Sequence, residues 1–179
     1  KFFINIAESL MGKYRGGPAK VAILASGFFG MLSGSPTSNV ITSGSLTIPA
    51  MKKAGYSGRY AAAIEACAST GGVLMPPVMG TVAFIMASFL NLPYAEILLA
   101  ALIPGIIFYI ALIIQTDLYA AKNKLLGMDS KDIPKLYPTL INGFPFIISF
   151  ISLVWLIVSA KLESEAPFIS SILLIFILL

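Results

Sequence analysis

The stretch of residues 20–53 most constrains the fold, because two apolar arms flank a polar centre and lysines close both ends. The centre, residues 33–39, reads SGSPTSN. Each membrane crossing needs about twenty apolar residues, so the stretch is too short to cross twice. We therefore predict a re-entrant helical hairpin over residues 19–53, which enters the membrane, turns at the polar centre and leaves on the side that it entered. Irregular backbone at that depth must be surrounded by protein or a water-filled cavity, so the hairpin is the first candidate for function.

The composition indicates that the rest of the chain is also in a membrane. Hydrophobic residues make up 58% of the sequence and charged residues 11%, whereas a soluble domain is about a quarter charged. The predicted fold class is an all-α polytopic membrane protein. The net charge of +4 lies in short polar segments, which favours membrane orientation over nucleic-acid binding. The sequence has no His and one Cys, so we expect no His-dependent metal site and no Ser-His catalysis, and we predict no enzyme and no cofactor.

The remaining segments follow from the apolar runs and the breaks between them. The chain does not begin with Met and ends inside an apolar run, which is expected of a fragment of a longer protein. The predicted segments are an amphipathic, interfacial lead-in (residues 1–18), a broken transmembrane helix (55–91), a transmembrane helix (94–121), a cytoplasmic connector (122–138), a transmembrane helix (139–160) and a truncated transmembrane helix (166–179).

The basic residues predict an orientation. If the hairpin opens on the cytoplasmic side, the lysines and arginines between positions 13 and 135 fall inside and Lys161 falls outside. Short cytoplasmic loops carry such an excess of Lys and Arg. We therefore predict a multi-pass protein of the bacterial inner (cytoplasmic) membrane.

Two places are predicted to interrupt helices inside the membrane. Pro36 cannot donate a backbone hydrogen bond, so the polar centre is expected to be irregular and the second arm to become helical near Val40. Two glycines and two prolines should break the helix of residues 55–91; these are Gly71, Gly72, Pro76 and Pro77.

The polar centre and the helix break offer hydroxyl, amide and freed carbonyl oxygens. Uncharged oxygen ligands suit Na⁺, since a tight divalent site would more usually recruit carboxylates. A helix that begins after the centre points its positive end into the membrane, where it attracts an anionic group. Secondary transporters bind ions and anionic substrates on broken helices in this way.

Individual polar residues also have structural interpretations. A single hydroxyl such as Thr42 or Ser45 is expected to bond back to its own helix. Glu65 is an acid inside an apolar span, and such residues are functional candidates; it could serve in coupling, form a salt bridge with Arg59 or face water. Cys67 is expected to be a small buried residue.

An ordered pattern over residues 16–80 resembles a known family. It consists of SGS at the polar centre, IPxM and GY at the end of the hairpin, AAAIxA, and then GG and PP. This pattern resembles the large membrane subunit of the TRAP (tripartite ATP-independent periplasmic) transporters, most of all the fused permeases of the TAXI branch. The resemblance implies an elevator-type transporter with inverted repeats, which uses a Na⁺ gradient to import organic acids (carboxylates) delivered by a periplasmic binding protein.

The resemblance also assigns roles to residues. It implies a Na⁺ site formed by Ser33, Gly34, Ser35, Ser38, Asn39, Thr70, Gly71 and Gly72. It implies half of a substrate site, formed by Ser35, Thr37, Ser38, Asn39, Pro76 and Pro77. A second hairpin and a second broken helix are not found in this sequence, so the remaining parts of the same permease are expected partners, with the lipid bilayer around them. Two alternatives stay open at this point: a non-transporting scaffold or assembly subunit, and a channel whose re-entrant hairpin lines the pore.

Overall fold

The computed structural model describes residues 2–160 and 165–178, and the regular structure in these ranges is helical. The all-α prediction is therefore confirmed for the described residues, while Lys161 lies outside them. The helices are α1 (Phe2–Met11), α2 (Gly17–Ser33), α3 (Pro36–Lys53), α4 (Gly58–Gly72), α5 (Thr81–Leu90), α6 (Tyr94–Lys122), α7 (Leu136–Asn142), α8 (Phe144–Val158) and α9 (Ala166–Leu178).

Helices α2 and α3 form a hairpin with a connection of two residues, Gly34 and Ser35. Gly34 has φ 60° and its N–H donates to Gly30 O at 3.0 Å. Ser35 caps α3, since its hydroxyl accepts from the Ser38 N–H. The prediction that helix resumes near Val40 is wrong, because Pro36 opens α3: proline at the first helical position has a suitable φ and lacks an N–H that would be unpaired there.

The predicted break between two helices lies at residues 73–80, between α4 and α5. Helix α4 continues through both glycines to Gly72, and α5 begins at Thr81 after the two prolines. The peptide bond between Pro76 and Pro77 is cis. The break therefore starts after the glycines.

Helices α2, α3 and α4 pack against one another, and α2 also contacts α1 and α6. Small residues let α2 and α4 approach closely. A Cβ atom built on Gly30 would lie 2.6 Å from Gly72 Cα. Apolar side chains, including Ile23, Met51 and Ile64, fill the centre of this group.

Helix α6 is the one helix in the described ranges that is both long and apolar enough to cross a membrane by itself. Together α7 and α8 have the required length and composition, but they are bent by 69°. The prediction of a single helix over residues 139–160 is therefore wrong. The bend lies at Gly143, where a Cβ atom would collide with the Phe2 ring, and Pro145 follows at the start of α8.

The segment between α6 and α7 is packed against α1 and the residues that follow it. The Met128 N–H donates to Gly12 O at 2.8 Å, and the Ser9 hydroxyl donates to Pro134 O at 2.7 Å. Leu125 packs against the core that α2, α3 and α4 share. The connector thus holds the entry to α2 close to the end of α6.

Candidate functional site

The hairpin tip contacts the break between α4 and α5. The Val78 N–H donates to Met31 O at 3.3 Å. A Cβ atom on Gly34 would collide with Met79 O and would lie 3.4 Å from Gly80 Cα. Only a residue without a side chain permits this approach, and the positive φ of Gly34 favours glycine as well. The contact brings four helix ends together: the C-termini of α2 and α4 and the N-termini of α3 and α5.

The predicted site residues are distributed unevenly around this contact. Ser33, Thr37 and Ser38 are exposed, whereas Asn39 is buried at 1% exposure. On the hairpin side, Gly34 makes the closest approach to the break. On the break side, the contacting residues are 78–80, which the sequence interpretation did not include.

The other predicted residues of the broken helix face elsewhere. The exposed Thr70 hydroxyl donates to Ala66 O of its own helix at 2.8 Å. Gly71 faces the Phe108 ring on α6. Pro77 is buried, and its carbonyl accepts from the Tyr94 hydroxyl at 3.1 Å. Gly72 lies against Gly30, one turn below the tip.

A second polar feature lies deeper, at the interface of α2, α3 and α4, and we call it the hydroxyl cluster. Its side chains are at most 5% exposed. The members are Ser26, Asn39, Ser43, Thr47, Glu65 and Ser69.

Asn39 connects the hairpin tip to this cluster. Its Nδ2 atom donates to Ser26 O at 2.8 Å and to Ser26 Oγ at 3.1 Å. The hydroxyls of Ser26 and Ser69 are 2.9 Å apart. The Asn39 side chain therefore ties the first turn of α3 to α2, and Ser26 continues the link to α4.

Glu65 lies at the centre of the hydroxyl cluster with no exposed surface. Its Oε1 accepts from Ser43 and, at 3.4 Å, from Ser69; its Oε2 accepts from Thr47 at 2.5 Å. Such bonds offset the cost of burying a polar group. No ion pair with Arg59 is found in the described part of the chain, and Glu65 does not face water. Those two interpretations are wrong.

Sequence reasoning did not group the members of the cluster. Asn39, Ser43 and Thr47 recur every fourth residue and so share one helix face. Glu65 and Ser69 have the same spacing on α4. The sequence feature that indicates the cluster is therefore the presence of one polar face on each of the two helices α3 and α4. Cys67, which was expected to be buried, is exposed.

The whole sequence, residues 1–179, matches the model of a family described as tripartite ATP-independent periplasmic transporter, DctM component. The chain belongs to this family. The resemblance to the TRAP large membrane subunit is thus confirmed, while the assignment to the TAXI branch stays a prediction. The family is one of transporters and not of enzymes, as expected from the sequence, and its members are integral membrane proteins.

Relatives in the DctM family carry several substrate names. The large permease DctM of the C4-dicarboxylate TRAP transporter of Vibrio cholerae is 35% identical over 64% of this chain and 25% of its own length. The large permease UehC of the ectoine/5-hydroxyectoine TRAP transporter of Ruegeria pomeroyi is 32% identical over 67% of this chain and 28% of its own. The large permease SiaM of the sialic acid TRAP transporter of Vibrio cholerae is 28% identical over 97% of this chain and 40% of its own length. The chain thus spans between a quarter and two fifths of these relatives.

Proposed function

We propose that this chain is part of a Na⁺-coupled secondary transporter, which imports organic acids handed over by a periplasmic binding protein. The observation that carries the proposal is the contact of the hairpin tip with the α4–α5 break, through Gly34, Met79 and Gly80. Broken helices that meet in this way are where secondary transporters bind ions and substrates. The C4-dicarboxylate and sialic acid named for two relatives are both carboxylic acids.

The substrate carboxylate binds where α3 and α5 begin. Both helix N-termini lie next to the Gly34–Gly80 contact, and Gly80 provides no side chain to cap α5. Unpaired N–H groups and the helix dipole favour an anion there. Residues Ser35, Thr37, Ser38, Asn39, Pro76 and Pro77 form this half of the site, to which we add Gly80. The rest of the permease supplies the other half.

Na⁺ binds where the hairpin tip, at the C-terminal end of α2, meets the C-terminal end of α4. Its ligands come from the hydroxyl, amide and carbonyl oxygens of Ser33, Gly34, Ser35, Ser38 and Asn39, and from the backbone carbonyl oxygens of Thr70, Gly71 and Gly72 at the end of α4. Since these ligands carry no charge, a weakly held monovalent cation suits them better than a divalent one. The re-entrant topology, the elevator movement and the inner-membrane location belong to the same proposal.

The apolar outer surfaces of the helices fit a larger assembly within a bilayer. Phe89 on α5 is 83% exposed and Phe176 on α9 is 80% exposed. Monomeric soluble proteins rarely show large contiguous apolar patches. Lipid and the remaining parts of the permease cover these faces in the proposed transporter.

Uptake by the full-length permease in liposomes tests the proposal. With the binding protein and an inward Na⁺ gradient, we expect accumulation of one or more radiolabelled organic acids, and an equal K⁺ gradient should give none. Uptake that does not depend on Na⁺, or no uptake of any candidate acid by folded permease, would overturn it. Downhill flux without Na⁺ would instead favour the channel, and complete inactivity the scaffold.

A further inference from the structure

The Ser43 hydroxyl has one proton and three acceptors within reach. These acceptors are Glu65 Oε1, Asn39 O at 2.7 Å and Asn39 Oδ1 at 3.2 Å. The Thr47 hydroxyl has a similar choice between Glu65 Oε2 at 2.5 Å and Ser43 O at 3.0 Å. A hydroxyl group donates only one hydrogen bond in full, so the protonation state of Glu65 decides how these protons are shared.

Two arrangements satisfy the hydroxyl cluster. When Glu65 is ionised, Ser43 and Thr47 both donate to its carboxylate, and Asn39 Oδ1 keeps its lone pairs. When Glu65 is protonated at Oε2, its O–H donates to Thr47. Oε1 is then the carbonyl oxygen of a neutral acid and a weaker acceptor than a carboxylate oxygen, so the Ser43 proton shifts toward the oxygens of Asn39. The charge on Glu65 is therefore sensed at the carbonyl and amide oxygens of Asn39, in the first turn of α3.

A proton fits this site better than a metal ion does. The oxygens of Glu65 and Thr47 are 2.5 Å apart, a hydrogen-bond separation for two oxygens. A cation shared between them would push them apart. In the described residues no group of three or more His, Cys, Asp or Glu side chains could hold a metal. A buried carboxyl group avoids the cost of an isolated charge when it becomes neutral.

A cavity connects the hydroxyl cluster to the side of the molecule where the hairpin begins and ends. Its volume is about 630 Å³. Thr47 lines it and also donates to Glu65. The charged residues around it are Glu8, Lys53, Asp129 and Asp132. Burial raises the pKa of Glu8 above its ordinary value.

Few other titratable groups face Glu65. From α6, the Tyr109 hydroxyl donates to Ala68 O at 2.7 Å, close to the cluster. On α2, Lys20 is bound to Asp117, and Arg59 on α4 is exposed. From α3 the cluster receives only Asn39 and the hydroxyls of Ser43 and Thr47, and from α1 the nearest acid is Glu8, across the cavity.

We propose that Glu65 is a proton-binding site, which is loaded from this cavity through Thr47 and acts through Ser43 on the carbonyl and amide oxygens of Asn39. In loading, a hydronium ion in the cavity gives a proton to Thr47 Oγ1. The Thr47 O–H bond breaks, its proton forms a new O–H bond at Glu65 Oε2, and water remains. The effect at Asn39 rests on the proposed Na⁺ site: a proton on Glu65 weakens Na⁺ binding, because Ser43 then donates to the Asn39 oxygens with which the ion would be bound.

Infrared difference spectroscopy of the full-length permease in liposomes tests the proton site directly. Lowering the pH should produce a carboxylic-acid C=O band that E65Q lacks and that the matched control E96Q, at an exposed glutamate of α6, retains. Thr47→Val keeps the carboxyl group and should slow hydrogen–deuterium exchange of that band at least tenfold. A missing band in the wild type, the same band in E65Q, or unchanged exchange in T47V overturns the proposal.

The action on Asn39 has a separate readout. The Na⁺ concentration that gives half-maximal uptake should rise several-fold as the pH falls in the wild type and in E96Q. It should stay constant in Ser43→Ala, which retains Glu65. A pH-dependent midpoint in S43A equal to that of the wild type overturns this step. Since the infrared band requires no transport, a failure of the Na⁺ proposal and a failure of the proton site give different results.

Discussion

At the scale of single residues, Asn39 links the hairpin tip to the buried interior. Its side chain is 1% exposed and donates two hydrogen bonds to Ser26. Thr42, in the same helix, is exposed and bonds back to Ser38 O at 2.8 Å. Two polar residues that are three positions apart therefore have different roles, because they lie on different faces of α3.

Asn39→Ala should affect both stability and ion binding in the full-length permease. Removing the amide deletes two buried hydrogen bonds to Ser26 and one acceptor of the Ser43 hydroxyl, which costs about 1–3 kcal/mol. It also removes an oxygen of the proposed Na⁺ site, so the Na⁺ concentration for half-maximal uptake should rise. Thermal unfolding and a Na⁺ titration of uptake measure the two effects. Thr42→Ala is the control and should change neither; an unchanged Na⁺ response in N39A would remove Asn39 from the ion site.

At the scale of helices, the approach of α2 to α4 depends on glycine at the crossing. Gly30→Ala would place a Cβ atom 2.6 Å from Gly72 Cα, and backbone cannot move aside as a flexible side chain can. We expect a loss of about 1–3 kcal/mol from overpacking, with reduced uptake because the tip moves relative to the break.

The matched control for this prediction is Gly58→Ala, also in a helix of the same bundle. There the new Cβ atom would meet only the Lys52 side chain, at 3.8 Å. Thermal unfolding of both variants in detergent tests this prediction, and the midpoint of G30A should be lower than that of G58A. Equal midpoints for G30A and G58A would mean that the helix crossing tolerates a methyl group.

The helices themselves were predictable where local chemistry determines them. Two apolar arms around SGSPTSN indicate a hairpin, and two glycines with two prolines indicate a break near residues 71–77. The start of α3 at Pro36 is also predictable from the sequence, since proline favours the first turn of a helix. Its helix-breaking effect in a helix interior suggested a later start instead.

Other features depend on contacts between distant parts of the chain, which a single sequence does not contain. At the bend, Gly143 lies against the ring of Phe2, which is 141 positions earlier in the sequence. The contact of Gly34 with Gly80 joins two loops that are 46 positions apart. The hydroxyl cluster needs the relative rotation of α3 and α4 as well as their periodicities. For these reasons the candidate site was predicted in its location but not in its contacts.

At the scale of the whole molecule, an ion-pair group fastens the hairpin to α6. Asp117 on α6 binds Arg15 and, at 2.5 Å, Lys20 on α2. The rings of Tyr60 and Tyr119 stack beside this group with centroids 3.6 Å apart. The two basic residues differ in their surroundings, since the Lys20 side chain is 9% exposed and the Arg15 side chain is 52% exposed.

This difference predicts unequal effects of substitution. Asp117→Asn leaves the buried Lys20 ammonium without its counter-charge, and breaking a buried pair from one side costs several kcal/mol; since Asp117 is partly exposed, we expect about 1–3 kcal/mol. Arg15→Ala should cost clearly less than Asp117→Asn, because exposed ion pairs contribute little to stability. Thermal unfolding of the full-length permease measures both.

Lys20→Met tests how much of the stability comes from the Lys20–Asp117 ion pair and how much from the other contacts between α2 and α6. In K20M/D117N the buried unpaired ammonium is removed and only the exposed Arg15 charge lacks its partner. The double variant should therefore be more stable than D117N alone, by an interaction energy that a double-mutant cycle reports. If R15A were as destabilising as D117N, or if K20M did not rescue D117N, the exposed arginine or the tyrosine stack would hold α2 on α6. The hairpin is anchored at this end and contacts the break at its tip, so loosening the Asp117 group should also lower uptake without changing the Na⁺ midpoint.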